Sequence, residues 1–240
     1  MAFEDLLKNG QNPSSPKAKL GSLNFSASLA AAHHDQVLKR EELLQSIMIA
    51  QGEYDYLALE IKVGKKELLN QLLEKKSILL EKNIVFINLT NTASVDDLGA
   101  VNRQSDQLTK YRMELEAIKQ SQKNQSQYTA ELLQEIDLGV DLEGTMVVDP
   151  QNYLTVMSEK LKFGGIVDQG RVSRLCGFAS LAAKNGDLIL ALKSYSIAGI
   201  ISGIKDDFKK IIKKAKKEKN PQSQDAEDLL NNLTPKNNKK

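Results

Sequence analysis

The chain has 240 residues, enough for one or two domains, and its 33 basic and 31 acidic side chains leave a net charge of +2, too small to indicate a partner class. A single cysteine, Cys176, excludes an internal disulfide and fits a reducing compartment. The absence of Trp, with only five Pro and many Leu, Lys, Glu and Gln, favours long helices over sheets. The charge is unevenly spread: residues 205–240 carry eleven Lys and six acids, a local excess of +5.

At the N-terminus, MAFEDLLKNG has neither a basic n-region nor a long apolar run. It does not read as a secretory signal, so the expected location is cytoplasmic. The N-x-S/T triplets at Asn24, Asn88, Asn124 and Asn232 are then chance matches. Residues 1–34 read as a flexible arm: a short amphipathic piece, FEDLL at 3–7, then a Gly/Asn/Pro/Ser linker, then a helix start capped by Ser28. His33 and His34 are neighbours there. Adjacent side chains on a helix diverge by about 100°, which suits surface histidines better than metal ligands.

Residues 35–137 read as one long antiparallel helical hairpin. In its first helix Leu43, Ile47, Ala50, Tyr54, Leu57 and Ile61 recur in alternating steps of four and three, a coiled-coil-like seam. Gly64 interrupts the seam, and a broader stripe follows through Leu69, Leu73, Leu80, Phe86 and Ile87. Gly52 and Gly64 read as tolerated interior glycines, or as marks of close packing or a bend. A polar break near 88–93 precedes a second helix to about 137, with a seam of Val101, Leu108, Tyr111, Leu115, Ile118, Leu132 and Ile136. That seam turns polar at Gln122 and Gln125. The free apolar surface is expected near the turn end, at Phe86 and Ile87.

Residues 138–219 read as a smaller helical module. A Gly-rich loop with an extended piece at 145–148 leads to helices at 152–163, 172–185 and 187–204, the last running on to Lys219. Residues 220–240 are polar and are expected to be a disordered tail.

Within this module Ala179 and Ala182 share a face, Gly186-Asp187 makes a turn, and Ala191, Leu192, Tyr195 and Ala198 follow. This spacing resembles a tetratricopeptide-repeat hairpin, or the related MIT three-helix module. The likeness covers about thirty residues and lacks the usual proline after the second helix, where Gly203 stands. It implies a peptide-binding helical surface. In outline, a helical hairpin with a short amphipathic N-terminal segment resembles membrane-remodelling proteins of the ESCRT-III type, though no motif carries that likeness.

Residues 201–215 form a basic amphipathic pattern. Ile201, Ile204, Phe208, Ile211, Ile212 and Ala215 share one face; Lys209, Lys210, Lys213, Lys214, Lys216 and Lys217 cover the rest. Three readings compete: docking of the apolar face on neighbouring helices, contact with an anionic membrane, and contact with nucleic-acid phosphates. The last is least favoured, because no aromatic platform is interleaved. The tetrapeptide Glu-Asp-Leu-Leu occurs twice, at 4–7 and 227–230. In each case it reads as an inducible helix offering Leu6 and Leu7, or Leu229 and Leu230, to a partner.

No catalytic, cofactor or metal motif is found. Cys176 has no His near it in sequence and reads as a structural thiol. The expectation is an all-α, non-enzymatic scaffold or adaptor with protein partners and self-association. A peripheral membrane protein is the alternative, and nucleic-acid packaging the weaker one. The stretch at 188–204 falls at the lower length limit for a membrane span and is better suited to a buried hairpin.

Overall fold

The computed structural model describes residues 16–90, 98–121, 127–163 and 168–234. Among these, nine α-helices and one two-stranded sheet are present, so the protein is all-helical in class. The helices are α1 (Pro16–Lys62), α2 (Leu69–Thr90), α3 (Leu98–Ser121), α4 (Gln127–Leu138), α5 (Pro150–Phe163), α6 (Gln169–Lys184), α7 (Leu188–Ile197), α8 (Ile201–Lys217) and α9 (Ser223–Leu233). A 3-10 turn, Lys66–Leu68, precedes α2.

The chain divides into two compact units, Met1–Glu42 and Leu43–Lys240. In the first, α1 begins at Pro16 rather than near Leu29. Proline suits the first helical position, because the N–H it lacks would have no partner there. His33 and His34 therefore lie inside a helix, and His34 is exposed.

In the second unit, the last two turns of α1 are enclosed on all sides. Every residue from 55 to 61 is buried, including Asp55 and Glu60. A helix packed against a single partner would bury only one stripe, so α1 is a central helix. One side meets α2. Lys82 Nζ donates to Ser46 Oγ, and Lys75 Nζ lies 2.8 Å from Glu53 Oε2, which is the register of an antiparallel pair.

The reversal between them is at Gly64, with φ +117°, a conformation that suits glycine alone. The first long helix read from the sequence is therefore two. The interruption of the seam at Gly64 is a turn, and α2 folds back on α1. The expected pairing of helices remains, α2 packing on α3 with Lys76 Nζ 2.7 Å from Glu114 Oε1, while residues 91–97 of the expected break lie outside the described residues. The second long helix is also two, α3 and α4, which meet where Tyr128 O–H donates to Glu114 Oε1 at 3.1 Å. Gln122 and Gln125 lie outside the described residues.

Another side of α1 meets α6 at a glycine crossing. A Cβ on Gly52 would stand 1.8 Å from the carbonyl oxygen of Arg174, and one on Gly177 would stand 2.0 Å from that of Ile49. Gly52 thus marks close packing. The expected extended piece is a β-hairpin, Val140–Leu142 paired with Thr145–Val147. Its Glu143-Gly144 turn has positive φ at both positions, 55° and 83°, the mirror-image turn that matches strand twist.

Asp149 opens α5, its Oδ1 accepting from the N–H groups of Gln151 and Asn152. Gly186, with φ +85°, ends α6, and Gly199, with φ +73°, separates α7 from α8. The expected continuous helix over 187–219 is therefore broken at Gly199. Among the described residues no helix is long and apolar enough to cross a membrane.

The tail also differs from expectation. Residues 223–233 form α9, which packs on α7 and α8 with Ala226 and Leu230 buried. The spacing of Ala226, Leu230 and Leu233 gives this polar segment one apolar face, and α8 supplies the matching surface.

Candidate functional site

Three clusters of ionisable side chains lie inside the second unit, and each ties helices together. Asp55 is fully buried on α1. Its Oδ2 accepts from Arg174 Nε at 2.5 Å and from the Tyr153 hydroxyl at 3.2 Å, and its Oδ1 accepts from Gln51 Nε2 at 2.9 Å. Tyr153 and Phe178 are stacked with ring centroids 4.3 Å apart, and Tyr56 meets Phe178 edge-on at 5.4 Å. Burial tends to lower the Arg174 pKa, but the Asp55 carboxylate holds it above its ordinary value. Burial, with the Asp55 charge beside it, pushes the Tyr153 phenol well up.

The second cluster sits where the turn at Gly64 meets the turn at Gly186. Tyr56 O–H donates to Asp187 Oδ2; Lys65 Nζ pairs with Glu60 and lies 3.2 Å from Asp187 Oδ2. Glu60 is 5% exposed, and burial raises its pKa although Lys65 opposes the shift. In the third, Lys76 lies between the Tyr54 and Tyr128 rings, 5.9 and 5.7 Å from their centroids, and is paired with Glu114. These are structural ties: each charged member already faces a counter-charge. Among the described residues no three His, Cys, Asp or Glu side chains converge as metal ligands.

The candidate site lies elsewhere, where two stretches kept apart by the sequence meet. Helices α8 and α9 are antiparallel: Lys205 Nζ donates to the Thr234 carbonyl at 3.1 Å at one end, and Lys216 pairs with Glu227 at the other. Between these ties is a groove of about 290 Å³, lined by Lys209, Ile212, Lys213, Lys216, Leu230 and Asn231, with Glu227 at its end. Phe208, Ile212 and Ala215 are buried, so the apolar face of α8 is docked, as the first of the three sequence readings holds.

The six lysines remain exposed but are not equivalent. Lys209, Lys213 and Lys216 line the groove. Lys210 and Lys214 face away from it and pair along the helix with Asp207 and Glu218. Lys217 is also outside the groove lining.

The other predicted residues fall differently. Leu230 is 1% exposed and seals α9 to its neighbours, so it is a core residue rather than a free contact. Leu229 is half-buried and lines a second groove, of about 410 Å³, with Leu154, Ile197 and Leu233. Leu6 and Leu7 lie outside the described residues. Ile87 is buried and Phe86 half-buried; the exposed apolar side chains at that end are Val85 at 49%, Leu89 at 39% and Val101 at 40%.

Cys176 is half-buried, and burial raises its thiol pKa. Tyr195 meets Phe208 of α8 edge-on at 6.1 Å, so the α6–α7 hairpin is backed by a third helix. Sequence reasoning missed the part played by Lys205, although its place in the 205, 209, 213, 216 series was a detectable helical stripe.

Comparison of the chain with protein-family models, curated proteins and solved structures returned no match. The functional reading therefore rests on the fold and on these surfaces.

Proposed function

We propose that the protein is a non-enzymatic helical scaffold or adaptor that works through protein–protein contacts, self-association among them. The observation that supports this reading is apolar surface left exposed where α2 and α3 pack together: Val85 of α2 is 49% exposed and Val101 of α3 is 40% exposed, while Leu72, Leu73, Leu80 and Ile87 of α2 are buried. A second copy presenting the same surface would cover it symmetrically.

The buried carboxylates support the same reading. Asp55 is held by the largely buried Arg174 and Glu60 by the half-exposed Lys65, which suits structural ties rather than work on a substrate.

Light scattering of the full chain over a range of concentrations tests the proposal. The expected result is a concentration-dependent oligomer that Val85→Asp returns to a monomer. A strict monomer throughout removes self-association.

A further inference from the structure

The groove between α8 and α9 has an electrostatic asymmetry. Its lysines, Lys209, Lys213 and Lys216, continue a stripe along one edge of α8 that begins at Lys205 beyond the groove's end. The two end members are used as ties to α9. The two middle members are not. Lys213 has no ion pair among the described residues, and Lys209 has only Asp206 on its own helix, at 3.1 Å with both side chains exposed. Such an exposed pair is weak and leaves the ammonium group free to re-aim. The groove wall opposite offers Leu230 and Asn231, and its acid, Glu227, is already neutralised by Lys216.

We propose that Lys209 and Lys213 form a binding site for a phosphate monoester, carried by an anionic lipid headgroup or free in solution. Two ammonium groups one helical turn apart are point charges matched to a doubly charged phosphate oxygen cluster. A carboxylate would neutralise only one of them, and the side-chain amide of Asn231 supplies a further donor on the facing wall. Ile201, Phe208, Ile212 and Ala215 are buried and Ile211 is the one exposed isoleucine of α8, so the contact is made by charges at the surface, without insertion of the helix into a bilayer. The site is independent of the self-association reading, because it lies on α8 and α9 and not on α2.

The test uses the full chain and three probes: phosphatidylcholine vesicles containing phosphatidic acid, phosphatidylcholine vesicles alone, and inorganic phosphate. Two double variants of equal charge change are compared, Lys209→Glu with Lys213→Glu and, on the outer face, Lys210→Glu with Lys214→Glu. All four lysines are exposed, so neither variant disturbs the core.

The expected result is sedimentation with the phosphatidic acid vesicles alone, weakened about fivefold for each groove lysine removed and spared in the outer-face variant. Inorganic phosphate binding that the groove variant alone abolishes also supports the site, and identifies free phosphate as a source. The proposal is overturned if neither probe binds, if the two variants lose binding equally, or if duplex DNA competes as well as the vesicles do.

Discussion

Arg174 Nε donates to Asp55 Oδ2 across 2.5 Å, in a place where the carboxylate has no exposure to solvent. The two residues come from α6 and α1, 119 positions apart. A buried pair of this kind adds little net stability over apolar packing, yet breaking it strands a charge. Arg174→Met should therefore cost about 3–5 kcal/mol. Adding Asp55→Asn should recover part of that loss, since the amide oxygen still accepts from Tyr153. Urea unfolding of the two variants measures both effects. An Arg174→Met protein that unfolds at the wild-type midpoint would show that the pair does not hold α6 to α1.

The crossing beside that pair makes a sharper demand. A methyl group on Gly52 would meet the Arg174 carbonyl oxygen at 1.8 Å, and backbone cannot rotate away. Gly52→Ala should reach or exceed the upper end of the roughly 1–3 kcal/mol that overpacking costs. Gly64→Ala has open space around it and should cost only backbone strain, on the order of 1–3 kcal/mol. Hydrogen exchange separates the two mechanisms. Gly52→Ala should release protection in α6, and Gly64→Ala should act around residues 60–68. Protection in α6 unchanged by Gly52→Ala would refute the close crossing.

Glu60 gives a pH dependence with a definite sign. Its folded pKa is raised above the usual 4.5, chiefly by burial, so the folded protein holds its proton to higher pH than the unfolded chain does. Stability associated with this group then increases as pH falls through the raised folded pKa, and the gain is complete below 4.5. Lys65 and Asp187 face the same carboxylate, and Tyr56 reaches Asp187. Glu60→Gln should remove this pH-dependent part while Lys65 keeps Asp187. Thermal melts of wild type and variant across that window should converge as the pH drops. A constant offset at every pH would contradict the assignment.

Two adjacent leucines test whether α9 belongs to the fold. Leu230 is buried and Leu229 only half so. Leu230→Ala should cost about 2–5 kcal/mol, the usual range for a core leucine, and Leu229→Ala clearly less. Equal and small effects on the unfolding midpoint would mean that α9 is not docked.

The helices were legible because their signals are local. The steps of three and four in α1 and the stop at Gly186 depend on neighbours within a turn. Gly64 was visible too, but as an irregularity. Whether a glycine inside a helical pattern is tolerated, bends the chain or reverses it depends on what α2 gains by packing back on α1. The tail was misread for a related reason. Ala226, Leu230 and Leu233 are too few to hold a helix alone, and α9 is stable because α7 and α8 cover that face.

The candidate site divides the same way. By itself the sequence determined an all-helical protein, a single thiol and a lysine-rich helix with one apolar face. Only the tertiary structure decided that the last two turns of α1 are enclosed, since a repeat of three and four fits either a coiled-coil seam or one side of a central helix. Likewise, only it sorted six similar lysines into those lining a groove and those facing away. Burial and charge pairing are set by residues that meet across α8 and α9 or across 119 positions of chain, and no local spacing encodes which surfaces will meet.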